Sequence, residues 1–325
     1  MSRIAAVVVT HNSARWLSRC LEAAVRFCDT VIVVDNASRD STAEVAARFP
    51  VQLLCNSANR GFAAAANQGV ALSSEPLILL LNPDVELATP LAPLVEACRQ
   101  GAAVATGLLV DARTREPQRG FTLRRFPTAW SLVFEVLGIN RLWPSNPVNR
   151  AYRCLDVDLS RPAHVEQPPG AFFLVQRSAW EALGGMDERF WPLWFEDVDF
   201  LRRAALAGLA IRYVPEVWAY HWGGHSVQQL DAAIKIVWWY ASLLTYVWKH
   251  FRPGHAWAIS LAILIGVAGR TVWSLAGRRE VGSCQAYINV FRQTCRSLLR
   301  RAEPSCEGRP HQERTRVNRT SRHNL

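Results

Sequence analysis

Apolar and polar residues come in alternating blocks along the first part of the chain. Four mainly apolar runs, IAAVVV, TVIVV, VQLL and PLILLL, are separated by segments in which apolar residues recur three or four positions apart. Uninterrupted apolar runs are typical of strands buried on both faces, and the wider spacing is typical of helices with one buried face. The alternation therefore predicts an α/β fold with a mostly parallel central sheet flanked by helices.

Polar residues stand where each of these predicted strands ends, which is the edge at which such sheets bind ligands. They are Thr10, His11 and Asn12; Asp35 and Asn36; Asn56 and Asn59; and Asn82 and Asp84. Any one of them has an ordinary explanation, because Asn and Asp favour turns. Their presence at all four strand ends favours one shared binding site over four unrelated turns.

Two carboxylates in this group suggest specific chemistry. Asp84 follows a buried strand and Pro83, which fixes the local backbone, and a carboxylate held there can bind Mg²⁺ or Mn²⁺ together with phosphate oxygens. Asp35 can accept hydrogen bonds from a base or a ribose. The chain has no GxGxxG after the first strand and no GxxxxGK[ST], so a Rossmann dinucleotide site and a P-loop are poorly supported.

An acidic cluster and a histidine occur further along. The stretch FEDVDF places Glu196, Asp197 and Asp199 at a predicted helix start. The helix dipole can stabilise carboxylates there without any function, or one of them can act as a general base. His221, at the end of a predicted strand, is either a satisfied structural residue or a second metal ligand beside Asp84.

The remainder of the chain is less regular. Residues 111–167 are predicted to be an irregular excursion rich in Arg, Pro and Trp. Residues 234–248 are apolar and aromatic, and residues 256–269 carry no charge before Arg270. A spanning helix needs roughly 20 apolar residues, so we predict apolar helices that lie at a membrane interface. A helix buried under the main domain and a single span remain alternatives.

Composition adds a charge asymmetry and a compartment. The net charge is +10, and residues 270–325 contain 12 Arg and 4 Glu, so the body of the chain is nearly neutral and the end is basic. Such a segment suits anionic lipid or nucleic acid, or is simply solvated. The eight cysteines show no CxxC pair, which indicates a reducing compartment. The N-terminus lacks a signal-peptide pattern, so the folded body is expected in the cytoplasm.

Several motifs, in this order and spacing, resemble those of glycosyltransferase family 2 enzymes with a GT-A fold, and among them the rhamnosyltransferase-like branch. They are VVVTHNS, VIVVDNASRDST, NRGFAAAANQG, LLLNPD, PPGAFFLVQR, GGMDERFWPLWFEDVDFLRRAALAG and YHWGGHS. Each motif is weak alone, and the resemblance rests on all seven. It implies a GT-A domain over residues 1–226. The apolar and charge patterns beyond it predict a membrane-associated apolar helical region over 227–302 and a basic disordered tail over 303–325.

The resemblance also implies roles for the matching residues. Asp197 would be the catalytic base, and Asp84 and His221 would hold Mg²⁺ or Mn²⁺. The nucleotide-sugar would be bound by Thr10, Asn12, Asp35, Asn36, Asn59, Gly61 and Asn82. The acceptor side would contain Glu196, Trp194 and Gly170. In the family's DXD motif the first Asp is replaced here by Asn82, which leaves one fewer charge for the metal.

The implied activity is an inverting sugar transfer from a nucleotide-diphospho-sugar. Rhamnose is the first choice of sugar, and the acceptor would be a lipid-linked or polysaccharide hydroxyl in cell-envelope glycan synthesis. We expect a cytoplasmic protein that is peripheral on the inner face of the cell membrane, with no nucleic-acid partner. The alternatives are a nucleotidyltransferase, whose Gly-rich basic signature is missing after the first strand, and a non-catalytic membrane-associated protein that retains the fold.

Overall fold

The computed structural model describes residues 2–223, 230–276 and 281–302. The predicted domain boundary at residue 226 and the predicted tail, residues 303–325, lie outside the described residues. Within them the strands form one sheet in the order β3-β2-β1-β4-β8-β6-β9-β5, with β7 paired to β9. The strands are β1 Ile4–Thr10, β2 Thr30–Asp35, β3 Gln52–Cys55, β4 Leu77–Leu81, β5 Val85–Leu87, β6 Ala102–Asp111, β7 Ala163–His164, β8 Phe172–Gln176 and β9 Ala210–His221.

The four strands predicted from the apolar runs form the parallel half of the sheet. β1 pairs in parallel with β2 and β4, and β2 pairs in parallel with β3. The other half is mixed, because β8 runs antiparallel to β4 and β6 while β9 runs parallel to β6. The reversed direction of β8 brings its start to the end of β4, where the Asn82 amide donates to the Ala171 carbonyl at 2.9 Å.

Helices cover both faces of the sheet and extend it on one side. α1 and α4 pack on one face, and α3, α8 and α9 pack on the other. The helices are α1 Ala14–Phe27, α2 Thr42–Ala46, α3 Phe62–Ala71, α4 Ala92–Arg99, α5 Ala129–Val136, α6 Ile139–Leu142, α7 Pro147–Tyr152, α8 Arg177–Ala182, α9 Glu196–Leu206, α10 Ala232–His250, α11 Pro253–Ala276 and α12 Val281–Ala302. The segment predicted to be irregular thus contains three short helices, α5 to α7.

The C-terminal helices pack directly on the part of the chain that leads into α9. A separate apolar cluster joins α5, the residues around the start of α9, and helices α10 to α12. Beside it, the buried Asp199 carboxylate of α9 receives bonds from His250 Nε2 and Lys249 Nζ of α10, each at 2.6 Å. Burial alone would raise the pKa of Asp199, but these two partners and Arg203 hold it below its usual value. The charged contacts fix α9 against α10.

Helix α11 has one buried face and one apolar exposed face. Within the described residues, only the segment from Pro253 to Ser274 is long and apolar enough to cross a membrane, and a third of its most apolar window is buried inside the protein. The Arg270 guanidinium donates to the Val136 and Glu135 carbonyls at the end of α5, where a cation is favoured. The outward face carries four large side chains that are 50–71% exposed, namely Leu261, Ile265, Val272 and Trp273.

Candidate active site

A cleft of about 1080 Å³ opens where the parallel strands end and where β8 and α9 begin. Ten of the residues predicted for the site line it. They are Thr10, Asn36, Asn59, Asn82, Asp84, Gly170, Trp194, Glu196, Asp197 and His221. The other three, Asn12, Asp35 and Gly61, are not part of the lining and contact residues around it. The side chains are therefore brought together from seven separate segments of the sequence.

Asp35 lies beneath the cleft floor. Its carboxylate is 4% exposed and accepts bonds from the Thr10 hydroxyl at 3.0 Å, from the Ser38 amide at 3.2 Å and from the Ser38 hydroxyl. Asn12 adopts a left-handed backbone with φ of 51°; its Oδ1 accepts from the Arg39 amide, and its own backbone amide donates to the Ser38 hydroxyl oxygen. The Asp35 Oδ2 accepts only the Ser38 amide among these bonds, so the carboxylate keeps acceptor capacity.

Asn36 is the centre of an amide network on the same side. Its Nδ2 donates to Asn59 Oδ1 at 2.9 Å and to the Gly61 carbonyl at 3.2 Å. Its Oδ1 accepts from Asn56 Nδ2 and from the Arg60 amide. Gly61 has φ of 86°, and a Cβ added there would lie 2.9 Å from Trp191. The glycine is therefore needed both for its backbone conformation and for the close approach of that loop.

Asp84 and His221 form a pair that fits a divalent cation. Asp84 Oδ2 lies 3.6 Å from His221 Nε2, while His221 Nδ1 is 2.8 Å from Gln118 Oε1. The Gln118 Nε2 donates to Asp111 and to the His221 carbonyl, which fixes the amide so that Oε1 accepts the Nδ1 proton. Nε2 is then the ring nitrogen on the Asp84 side, and a hydrogen bond that fixes the other ring nitrogen is usual for metal-binding histidines.

The described residues supply only part of a coordination shell there. No group of three or more His, Cys, Asp or Glu side chains suited to a metal occurs within the described ranges. Asn82, in place of the first Asp of the motif, lines the cleft and lies two residues before Asp84. A cation bound by one carboxylate and one imidazole would need further oxygen ligands, and a diphosphate can provide them.

Asp197 lines the same cleft and is held by backbone amides. Its Oδ2 accepts from the Gly170 amide at 2.7 Å and its Oδ1 from the Val198 amide at 2.8 Å. Burial raises the pKa of Asp197, and the two amides and the Arg124 charge oppose that rise without cancelling it. A Cβ added at Gly170 would lie 2.9 Å from the Asp197 Cβ. The carboxylate is thus oriented, and it is more basic than an ordinary aspartate.

Two residues in strained conformations precede Asp197. Trp194 and Phe195 have φ of 76° and 68°, a region that costs about 1–3 kcal/mol for each non-glycine residue. Phe195 packs against Tyr246 and Trp239 of α10, which holds the strained turn in place. Trp194 lines the cleft, and the turn presents it beside the acidic pair.

Two buried oxygens near Asp197 lack a hydrogen-bond partner among the described residues. They are Glu196 Oε2 and Gln167 Oε1, and both residues line the cleft. Burial, together with the neighbouring Asp197 charge, raises the pKa of Glu196 well above its usual value. Because buried polar groups are nearly always paired, these two positions suit the hydroxyl groups of a bound sugar.

Residues 118–124 were missed by the sequence reasoning, which treated them as part of an irregular segment. Gln118 orients His221, and the Phe121 ring stacks on the His221 ring with centroids 4.9 Å apart. The Arg124 guanidinium lies over the Phe121 ring, and its charge acts on Asp197. The stretch QRGFTLRRF has the glycine, aromatic and arginine content of a binding loop, but nothing in its spacing predicts which partners it meets.

Comparison with known proteins places these features in context. The family model described as Glycosyl transferase family 2 matches residues 5–155. The N-acetylglucosaminyl-diphospho-decaprenol L-rhamnosyltransferase of Mycobacterium tuberculosis is 30% identical over 321 residues, which cover 91% of this chain and 97% of that protein. Rhamnosyltransferase WbbL of Escherichia coli is 27% identical over 47% of this chain and 54% of its own length.

A solved structure gives an independent view of the fold. GalNAc-T7, crystallised with UDP, GalNAc and Mn²⁺, superposes with a TM-score of 0.55 at 18% identity, covering 76% of this chain and 48% of that one. Together with the full-length relative, this likeness confirms the family and the GT-A fold predicted from the seven motifs. The prediction of a glycosyltransferase is confirmed with them.

Proposed function

The chain belongs to glycosyl transferase family 2, and we propose that it transfers L-rhamnose from a nucleoside-diphosphate donor to a prenyl-diphosphate-linked N-acetylglucosamine. dTDP-rhamnose is the first choice of donor, and UDP-sugars come next. The observation that carries the proposal is the single cleft in which the Asp84–His221 pair and the amide-held Asp197 occur together. The names of the two rhamnosyltransferase relatives support the choice of sugar, and the name of the first supports the choice of acceptor.

The strand-end side of the cleft is assigned to the donor. Thr10, Asn36, Asn59 and Asn82 line it and offer hydroxyl and amide groups for a nucleoside; Asn12, Asp35 and Gly61 lie behind them and hold their positions. Asp84 and His221 would hold Mg²⁺ or Mn²⁺ against the diphosphate. When bound, such a cation supplies positive charge for the leaving group.

The opposite side is assigned to the acceptor and to proton transfer. Asp197 takes the proton of the acceptor hydroxyl, and that oxygen bonds to the anomeric carbon. The bond from this carbon to the phosphate oxygen breaks, and its electron pair leaves with the nucleoside diphosphate. A single displacement inverts the anomeric centre. Gly170 and Val198 amides keep Asp197 in position, while Glu196 and Trp194 contact the acceptor sugar.

The acceptor's prenyl chain implies a membrane surface close to the cleft. The outward apolar face of α11 supports this, because tryptophan and aliphatic side chains favour the lipid interface. We therefore propose a peripheral attachment to the inner face of the cell membrane through Leu261, Ile265, Val272 and Trp273. The contacts of α11 with α5 leave that face directed away from the protein.

Activity is tested by incubating the protein with dTDP-rhamnose, Mn²⁺ and a short-chain prenyl-diphospho-N-acetylglucosamine. Expected products are a rhamnosylated acceptor, seen by mass spectrometry, and an equal amount of dTDP. Asp197→Asn should abolish both, and Glu22→Gln, which changes an exposed acid of α1 outside the cleft lining, should abolish neither. Failure of wild type to release nucleoside diphosphate with dTDP- or UDP-sugars would favour the non-catalytic alternative.

Membrane attachment is tested separately by flotation with phosphatidylglycerol-containing vesicles. Ile265→Asp and Trp273→Asp should reduce flotation. Leu206→Asp, at an exposed apolar residue of α9 that is 74% accessible, is the matched control and should float like wild type. Equal flotation of all three variants would remove α11 from the membrane contact.

A further inference from the structure

A second cavity, of about 460 Å³, adjoins the cleft on its helical side. Arg119, Glu135 and Arg153 line both spaces, so the second cavity is an annex of the first. Arg141 lines the annex as well, and Glu135 is the single acid among the residues that line it. The annex is therefore cationic, whereas the donor side of the cleft is lined by amides and the Asp84–His221 pair.

Three arginines converge on one tight turn at the mouth of the annex. Gly120 has φ of 74°, and a Cβ there would lie 3.2 Å from the Arg153 Cβ. Arg119 is its chain neighbour, and Arg124 Nε donates to the Gly120 carbonyl at 2.9 Å. Arg153 Nε is fixed by Asn149 Oδ1 at 3.0 Å. The side chains are positioned through single bonds that leave their other N–H groups for a ligand.

These cations have no carboxylate partner in the described part of the chain. No carboxylate oxygen lies within 4.0 Å of the guanidinium groups of Arg119, Arg124 or Arg153 there, although other arginines of this protein form such pairs. The nearby Glu135 instead accepts from Asn140 Nδ2 at 2.7 Å. Clustered arginines that form no close ion pair can recognise phosphate groups, which accept their paired N–H donors.

We propose that the annex binds the diphosphate of the prenyl-linked acceptor through Arg119 and Arg153, with Arg124 between them and Asp197. The inference rests on the proposed function, and it adds that the protein selects its acceptor by recognising the acceptor's diphosphate. A diphosphate held there places the attached sugar toward Asp197, since Arg124 contacts the Gly120 turn and its charge reaches that carboxylate.

The position of the annex also gives the acceptor's prenyl chain a route out of the protein. Glu135 lines the annex, and its backbone carbonyl accepts from Arg270 of α11. Leu142 and Trp143, which are 87% and 54% exposed, follow Arg141 directly. The chain of a bound acceptor can therefore leave the annex beside exposed apolar groups and the helix proposed to contact the membrane.

The donor diphosphate is the competing ligand for these arginines, and a binding experiment without metal separates the two. Farnesyl diphosphate is titrated into the full chain in EDTA, with farnesol and dTDP as comparison ligands. We expect wild type to bind farnesyl diphosphate in preference to both. Arg119→Gln and Arg153→Gln should each weaken it by at least about tenfold, the effect of losing a charge-assisted hydrogen bond. Arg150→Gln, an exposed arginine one turn earlier on α7, should bind like wild type.

A kinetic arm then tests acceptor use. With two N-acetylglucosamine acceptors, one joined to its prenyl chain by diphosphate and one by an ether oxygen, the arginine variants should raise KM for the diphosphate acceptor by about tenfold and leave the donor KM unchanged. If the arginine variants bind farnesyl diphosphate more weakly but wild type transfers no sugar, the proposed function is wrong and the annex assignment stands. Transfer with unchanged binding, or a raised donor KM instead of a raised acceptor KM, would overturn the annex assignment.

Discussion

The two sides of the cleft are built in different ways. On the strand-end side, short polar side chains bond to each other and to the backbone. The Asn36 side chain makes four hydrogen bonds, and the buried Asp35 carboxylate accepts three. On the helical side, the described residues include two buried oxygens without partners and three arginines, Arg119, Arg124 and Arg153, that form no ion pair within 4.0 Å. A site whose polar groups are already satisfied is preorganised, whereas unmatched groups require a ligand to match them. If the proposed assignment holds, the side with satisfied polar groups binds the donor, and the side with unmatched groups selects the acceptor.

The largest effect is expected from the proton-transfer residue. Asp197→Asn keeps the shape and accepts the same backbone amides less well, but it cannot take a proton, so kcat should fall by about a thousandfold. Single-turnover measurements at saturating donor and acceptor check this, with Glu22→Gln, at an exposed acid of α1, as control. Near-normal turnover in Asp197→Asn would move the base elsewhere.

The next effect is on stability and distinguishes the two sides. Asn36→Ala leaves several buried partners unsatisfied and should lower the free energy of unfolding by about 3 kcal/mol. Arg119→Ala removes an exposed side chain and should change it by less than about 0.5 kcal/mol. Urea unfolding of both variants is the measurement. Equal losses of unfolding free energy would show that the two sides of the cleft do not differ in how far their polar groups are satisfied.

A smaller effect should follow from the residue that orients His221. Gln118→Leu removes the acceptor of the Nδ1 proton, so the imidazole loses its fixed tautomer, and the Mn²⁺ concentration for half-maximal activity should rise by about 10- to 100-fold. Gln100→Leu, which changes a glutamine exposed on the distant end of α4, serves as the control. An unchanged Mn²⁺ requirement in Gln118→Leu would argue against His221 as a ligand.

The smallest effect concerns pH. The catalytic carboxylate must be ionised, and burial raises the pKa of Asp197 while the Arg124 charge lowers it. Activity should therefore fall as pH drops through that pKa, and Arg124→Gln should move this acid limb to higher pH. The kcat profile at saturating acceptor measures it, and a limb that stays in place or moves to lower pH would contradict the assignment.

The sequence predicted the strand-end side better than the helical side for a physical reason. A buried parallel strand needs an uninterrupted apolar run, so its end, and the polar residue there, can be located from the chain alone. Thr10, Asn36 and Asp84 were found in this way. Which of them reach the cleft could not be predicted, because Asp35 is turned inward by Thr10 and Ser38.

The helical side depends on where irregular segments travel. Gln118, Arg153 and Gln167 come from the stretch that showed no periodicity, and they reach the cleft only through turns such as the one at Gly120. The reversed direction of β8, which brings Gly170 to Asp197, also has no local signal. The C-terminal helices were predicted as apolar, but their packing around the start of α9 depends on the buried contacts of Asp199 with α10.

The division of the cleft is tested most directly by donor binding in two variants. Calorimetry of dTDP-rhamnose with Mn²⁺ should show binding to Asp197→Asn within about twofold of wild type, because that carboxylate contacts the acceptor and not the donor. Asp84→Asn should weaken the same binding by about tenfold or more. Loss of donor binding in Asp197→Asn together with normal binding in Asp84→Asn would contradict the account.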